Sequence, residues 1–185
     1  MDTIEAIHSR RSIRAYRARG VERGAIEAII LDAAQAPSTP VSGAHPWIFH
    51  VIEGSERIAA YGARAKQFAR AHRPPGEAGY AWADRPEFSV FLGAPVVIVI
   101  CGDAKNSEAL AECCRAGQNL MLSAHARGLG TCWVGSPLLW LRDGASKAEL
   151  GIAAELEPHA VFTLGYAAEV PAKAPRVAPQ ILWSA

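Results

Sequence analysis

Apolar positions change their period several times along the chain, and each change marks an element. In DTIEAIHS (2–9), Ile4 and Ile7 share one face behind Asp2 and Thr3 as candidate caps, which predicts a short helix. RGAIEAIILDAAQA (23–36) repeats apolar residues at Ile26, Ile29, Ile30, Ala33 and Ala34, predicting a second helix that Pro37 and Pro40 end. WIFHVIE (47–53) is bulky and β-branched and reads as a strand, and 55–72 reads as a helix. The glycines, prolines and aromatics of 72–88 predict a loop or a short excursion over the body.

PVVIVICGD (95–103) is apolar without alternation, the mark of a strand buried on both faces. The longest predicted helix follows in SEALAECCRAGQNLMLSAHARG (107–128), with a stripe of Leu110, Cys113, Cys114, Gly117, Leu120, Met121 and Ala124 and Gly128 as its left-handed close. Short strands are predicted at 130–135 and 159–166. The proline-rich remainder, from 167, ends in Ile181-Leu182-Trp183, an apolar anchor with nothing local to pack on; a segment of this kind often lies along a neighbouring subunit. Helices and strands alternate at uneven spacing, so the fold class is α+β with a mixed central sheet flanked by helices, in one domain spanning 1–185.

Composition narrows the partners. A formal net charge of +1 on 185 residues argues against nucleic acid, whose phosphate backbone calls for a broad basic surface. The longest apolar run is too short to span a bilayer, and the amino-terminal residues carry no signal-like apolar stretch; a cytoplasmic protein with no membrane partner is expected. Cys101, Cys113, Cys114 and Cys132 show no CxxC spacing and sit in apolar runs, so neither disulfides nor a metal are expected. There is no GxGxxG and no P-loop.

One stretch stands apart from this even balance. HSRRSIRAYRAR (8–19) holds five arginines in twelve positions. They form either a solvated basic face or a fixed site for one anion, and the stretch alone does not choose.

Five segments in order bear on that choice: RRSIR (10–14), APSTPVSGAHPW (36–47), GAPVVIVICGD (93–103), AGQNLMLSAHARGLGTCWVG (116–135), and FTLGYAAE (162–169) with Pro175-Arg176. Together they resemble the FMN-dependent nitroreductases over nearly the whole chain. The resemblance implies an α+β homodimer with FMN in two pockets at the subunit interface and a carboxy-terminal arm (about 167–185) exchanged between protomers. It further implies that Arg10 and Ser12 hold the FMN phosphate with Arg11 beside them, and that Arg176 reaches the same phosphate from the tail. Arg14 would point at the N1/C2 edge of the ring and stabilise the charge that reduction places there. Pro37, Ser38 and Thr39 would touch the ring, and backbone N–H groups of Trp133, Val134 and Gly135 would face N5 and O4. Many relatives carry an asparagine in the 36–47 loop; this chain has Gly43 there, and either Ser42 or His45 takes over the contact or it is absent.

The implied activity is ping-pong transfer of hydride from NAD(P)H through FMN to a nitroaromatic, quinone or similar small electron-poor acceptor. Nothing in that scheme demands a protein acid or base, so no catalytic residue is assigned, and Cys113, Cys114, His125 and His159 are read as packing. Arg17 and Arg19 are read as solvated. Phe68, Tyr80, Trp82 and Phe88 are candidates for covering the exposed ring face. Two alternatives remain open: a specialised relative (flavin destruction, dehalogenation, azoline oxidation) and a non-enzymatic flavin-binding or redox-sensing protein.

Overall fold

The computed structural model describes residues 1–40, 43 and 46–184. Ser42 and His45 lie outside the described residues. The elements in chain order are α1 (Thr3–Ser9), α2 (Arg23–Ala33), β1 (Ile48–Glu53), α3 (Ser55–His72), a 3-10 helix (Ala78–Asp84), β2 (Val96–Asp103), α4 (Ala109–Ala126), β3 (Gly130–Trp133), α5 (Leu138–Leu141), α6 (Gly144–Leu150) and β4 (Leu156–Gly165). The strands form one sheet in the order β1-β2-β4-β3. Every pairing of named strands is antiparallel, and among the described residues the parallel contribution to this sheet is an isolated bridge between Ser12 and Thr131.

β2 explains its own sequence. Alternate side chains of a strand point to opposite faces, and here both faces are covered. Val96, Ile98 and Ile100 enter one core with α2 and α4, while Val97, Val99 and Cys101 enter a second core with α3, α5 and α6 residues such as Ile58, Leu141 and Leu150. An unbroken apolar run is what a strand between two cores requires. α5 and α6 were not predicted. Their signals were present: Asp143 caps α6 by accepting from the N–H groups of Ala145 and Ser146, and Gly151 closes it at φ 71°.

α4 differs from its predicted stripe. Leu110 is exposed and Cys114 half-buried, while Ala109, Glu112, Cys113, Ala116, Gly117, Leu120, Met121 and Ala124 are buried. Small residues bring the helix axis close to the sheet, and the helix turns its Ala/Gly face inward at the expense of a leucine. Gly117 marks the closest approach: a Cβ there would stand 2.3 Å from Phe162 Cζ. Gly117→Ala therefore overpacks a fully buried ring at a cost of about 1–3 kcal/mol, and calorimetry should show Tm lower by about 3–10 °C.

The tail beyond β4 runs over the surface without regular structure, and Ile181, Leu182 and Trp183 are exposed, Trp183 at 89%. Met1, ahead of α1, and Ile4 and Ile7 on it form a second exposed apolar set. Among the described residues no helix is long and apolar enough to cross a membrane.

Candidate functional site

The arginine-rich segment is extended, and it is laid beside β3. Ser12 forms the parallel bridge to Thr131, and the Ile13 N–H donates to the Thr131 carbonyl at 2.9 Å. Extended backbone alternates its side chains, so Ile13 goes into the core at 4% exposure while Ser12 and Arg14 fall on the other side. Gly130 permits this contact, because a Cβ there would lie 2.5 Å from Ile13 Cγ1. The Tyr16 hydroxyl donates to the Ile13 carbonyl at 2.9 Å and lies 2.7 Å from the Thr163 hydroxyl, fixing the same segment to β4.

Arg10 is the anomaly of this arrangement. Its Nη1 is buried with no hydrogen-bond partner among the described residues. Burial, then the charges of Arg176 and Arg11, hold its guanidinium below the ordinary arginine range. A desolvated cation with an unmet donor, beside two further cations, is unfavourable unless an anion completes it. The residues thus fit a phosphate-like group, which accepts forked hydrogen bonds from guanidinium. Arg176, some 166 positions away in sequence (176 − 10), is brought to the same charge cluster by the tail. A cavity of about 270 Å³ opens here, with Arg10, Arg11, His125, Thr131 and Val170 in its walls.

Arg11 lines the same cavity and also has partners within the chain. Its Nη1 donates to the carbonyls of His8, Ser9 and Arg10 at 3.0, 2.8 and 2.9 Å, covering the C-terminal end of α1. Bare carbonyl oxygens at a helix C-terminus repel an anion, and Arg11 covers these three. Arg14 is exposed, with a single 3.5 Å contact from Nη1 to the Ser12 carbonyl, and no carboxylate lies within ion-pair distance of it among the described residues. Arg17 donates to the Ala167 carbonyl, and Arg19 pairs with Glu22 and stacks on Tyr166; both are exposed.

At the far end of β3 the three expected backbone donors are not equivalent. Val134 donates its N–H to the Val161 carbonyl at 2.9 Å, and the register pairs Trp133 with Phe162. Antiparallel pairs alternate between bonded and non-bonded, so Trp133 turns its N–H away from β4 toward the edge where the arginine segment runs, whereas the N–H of Val134 is spent in the sheet. Gly135 is exposed with open space where a side chain would stand. In the 37–40 stretch Pro37 and Ser38 are exposed, but Thr39 faces inward: its N–H and hydroxyl donate to Glu112 Oε1 at 2.7 and 3.0 Å. Those two donors of Thr39 are directed at the protein.

These positions can be set against known proteins. The nitroreductase family model matches residues 7–166. The chain belongs to the nitroreductase family. A protein of Methanothermobacter thermautotrophicus, whose proposed activity is NADH dehydrogenase or NAD(P)H nitroreductase, is 32% identical over 175 residues, covering 92% of this chain and 80% of its own. A nitroreductase of Bacteroides fragilis with bound FMN superposes with a TM-score of 0.83 at 23% identity, covering 97% of this chain and 95% of that one. A second, from Desulfitobacterium hafniense and also with FMN, gives 0.81 at 23% identity over 100% and 99%.

Within this nitroreductase fold some residues of consequence escaped the sequence. Glu112 is fully buried and also accepts from Asn106 Nδ2 at 3.2 Å, so a carboxylate inside α4 pins the 37–40 stretch. A charged residue in register with an apolar helix stripe was the available signal. Gly130 and His125 were likewise missed as parts of the site. Burial pushes the Cys101 and Cys113 thiols up to about 12 and raises Cys114 and Cys132, which leaves them poor nucleophiles near neutrality. Of the four lid candidates, Phe68, Trp82 and Phe88 pack on the second core, and Trp82 lies 5.4 Å from Phe88 and 6.4 Å from Tyr80. Among the described residues no cluster of His, Cys, Asp and Glu could hold a metal.

Proposed function

We propose that this chain is an FMN-dependent NAD(P)H oxidoreductase that reduces nitroaromatic, quinone or similar electron-poor acceptors and works as a homodimer. The observation that carries the reading is the buried, unpartnered Nη1 of Arg10 with Arg176 in Coulomb range. When bound, FMN supplies the chemistry, taking hydride from NAD(P)H and passing it to the second substrate. The protein's share is positioning and charge. Arg10, Ser12 and Arg176 hold the phosphate, Arg11 shields it from the α1 carbonyls, and the N–H groups of Trp133 and Gly135 are the backbone donors left for the ring. Arg14, exposed and without a carboxylate partner, has its charge available for the pyrimidine edge. No side chain of the site is required as a proton donor, which agrees with thiols that burial keeps protonated.

The dimer reading rests on the two exposed apolar sets, Met1 with Ile4 and Ile7 of α1, and Ile181–Leu182–Trp183 in the tail. Large apolar side chains left exposed in groups mark an interaction site when they adjoin, and a second copy is the partner the tail anchor fits.

The protein should purify yellow and be bleached anaerobically by NADH or NADPH, with colour restored by menadione or nitrofurazone in steady-state ping-pong kinetics. Bound flavin that no nicotinamide reduces would leave a flavin-binding protein and defeat the enzyme reading.

A further inference from the structure

Resting on the assignment of the Arg10 cavity to the FMN phosphate, we infer that His125 is a proton-linked phosphate ligand: it takes up a proton as the phosphate binds and donates a charge-assisted hydrogen bond into that cavity. The ring sits in the last turn of α4, where a helix C-terminus favours a cation. Its Nε2 lies 2.7 Å from Ser9 Oγ, and Ser9 gives its only hydroxyl hydrogen to the Glu5 carbonyl at 2.7 Å. Ser9 must therefore accept, and His125 must donate from Nε2. This fixes the neutral tautomer with a lone pair on Nδ1, a nitrogen with no hydrogen bond among the described residues, in a ring that lines the same cavity as Arg10 and Arg11. The proton acceptor is set before the ligand arrives.

The surrounding charges fix the sign. Burial, Arg10 and Arg11 lower the basicity of the free imidazole, and Glu5 on α1 raises it. On its own helix Arg127 is engaged by Asp32, and from the other side Met1 shares the cavity wall. A phosphate dianion against Arg10 offsets the two opposing guanidinium charges, so the bound imidazole is the stronger base. A group whose basicity rises on binding contributes affinity fully present below its free pKa and lost as pH rises through its bound pKa. The phosphate's own second ionisation, near about pH 6, pulls the opposite way, so the signature lies in the difference between proteins with and without the imidazole.

The test uses the full chain freed of flavin, wild type and His125→Asn, titrated with FMN and with riboflavin from pH 5.5 to 8.5. Calorimetry in buffers of different ionisation enthalpy counts the protons. Wild type should take up protons on binding FMN, and its affinity relative to the variant should fall about tenfold from low to high pH, as a one-unit shift requires. Riboflavin should show neither effect. Should His125→Asn not fold, NMR titration of the His125 ring in wild type decides alone: its pKa should rise by about one unit with FMN. FMN binding with identical pH profiles, or an imidazole that FMN does not move, overturns this proposal and leaves the FMN reading standing. Folded wild type that binds no FMN overturns both.

Discussion

Replacing Arg10 and Arg176 together with alanine should yield a folded dimer that no longer retains FMN. Neither guanidinium is spent on the core: Nη1 of Arg10 has no partner among the described residues, and Arg176 lies in the exposed tail. Their cost to the protein without ligand is instead a repulsion, one of the causes that lowers the basicity of Arg10. Each charge-assisted bond to a phosphate contributes about 1.5–3 kcal/mol, so the pair should weaken FMN by roughly 10²–10⁴-fold. Tm without flavin should hold or rise, since like charges have been removed. Flavin retained at wild-type stoichiometry after gel filtration would disprove the phosphate assignment.

Gly130→Ala should lose stability and cofactor together. The added Cβ would fall 2.5 Å from Cγ1 and 2.8 Å from Cβ of Ile13, and the second of these is too near the backbone to swing aside. Ile13 is held by its N–H on Thr131 and by Tyr16 on its carbonyl. Something must give, and the arginine segment, attached to β3 by one bridge, is the element able to move. The overpacking costs about 1–3 kcal/mol, or about 3–10 °C in Tm. Displacing even one phosphate contact adds a ten- to hundredfold loss of FMN affinity, the equivalent of about 1.5–3 kcal/mol. Gly117→Ala is the comparison, because it overpacks Phe162 to a similar extent and the three atoms nearest the added Cβ all belong to Phe162, none to the arginine segment. If both variants bind FMN equally well, the Ile13–Gly130 contact does not position the site.

Serine-rich and arginine-rich turns are common, so what made RRSIR informative was its company. Its spacing places Arg10, Ser12 and Arg14 at alternate positions around an apolar Ile13, and that much follows from the sequence. That the segment is extended follows only from β3, whose free edge holds it. The same division runs through Arg11, which the family resemblance sets beside the phosphate and which in the fold covers the end of α1, where three carbonyl oxygens converge on it.

The sequence by itself determined the elements whose pattern is local: the apolar β2, the amphipathic α2 and α3, the glycine close of α4, and the family through five segments in order. Only the tertiary structure decided which face of α4 is buried, that Thr39 turns to Glu112, that the Trp133 N–H is free of the sheet while that of Val134 is not, and that His125 shares a cavity with Arg10. The physical reason is range. Periodicity reports how a residue relates to neighbours within a turn or a pleat, whereas a buried charge or a free strand edge is defined by what arrives from a hundred residues away.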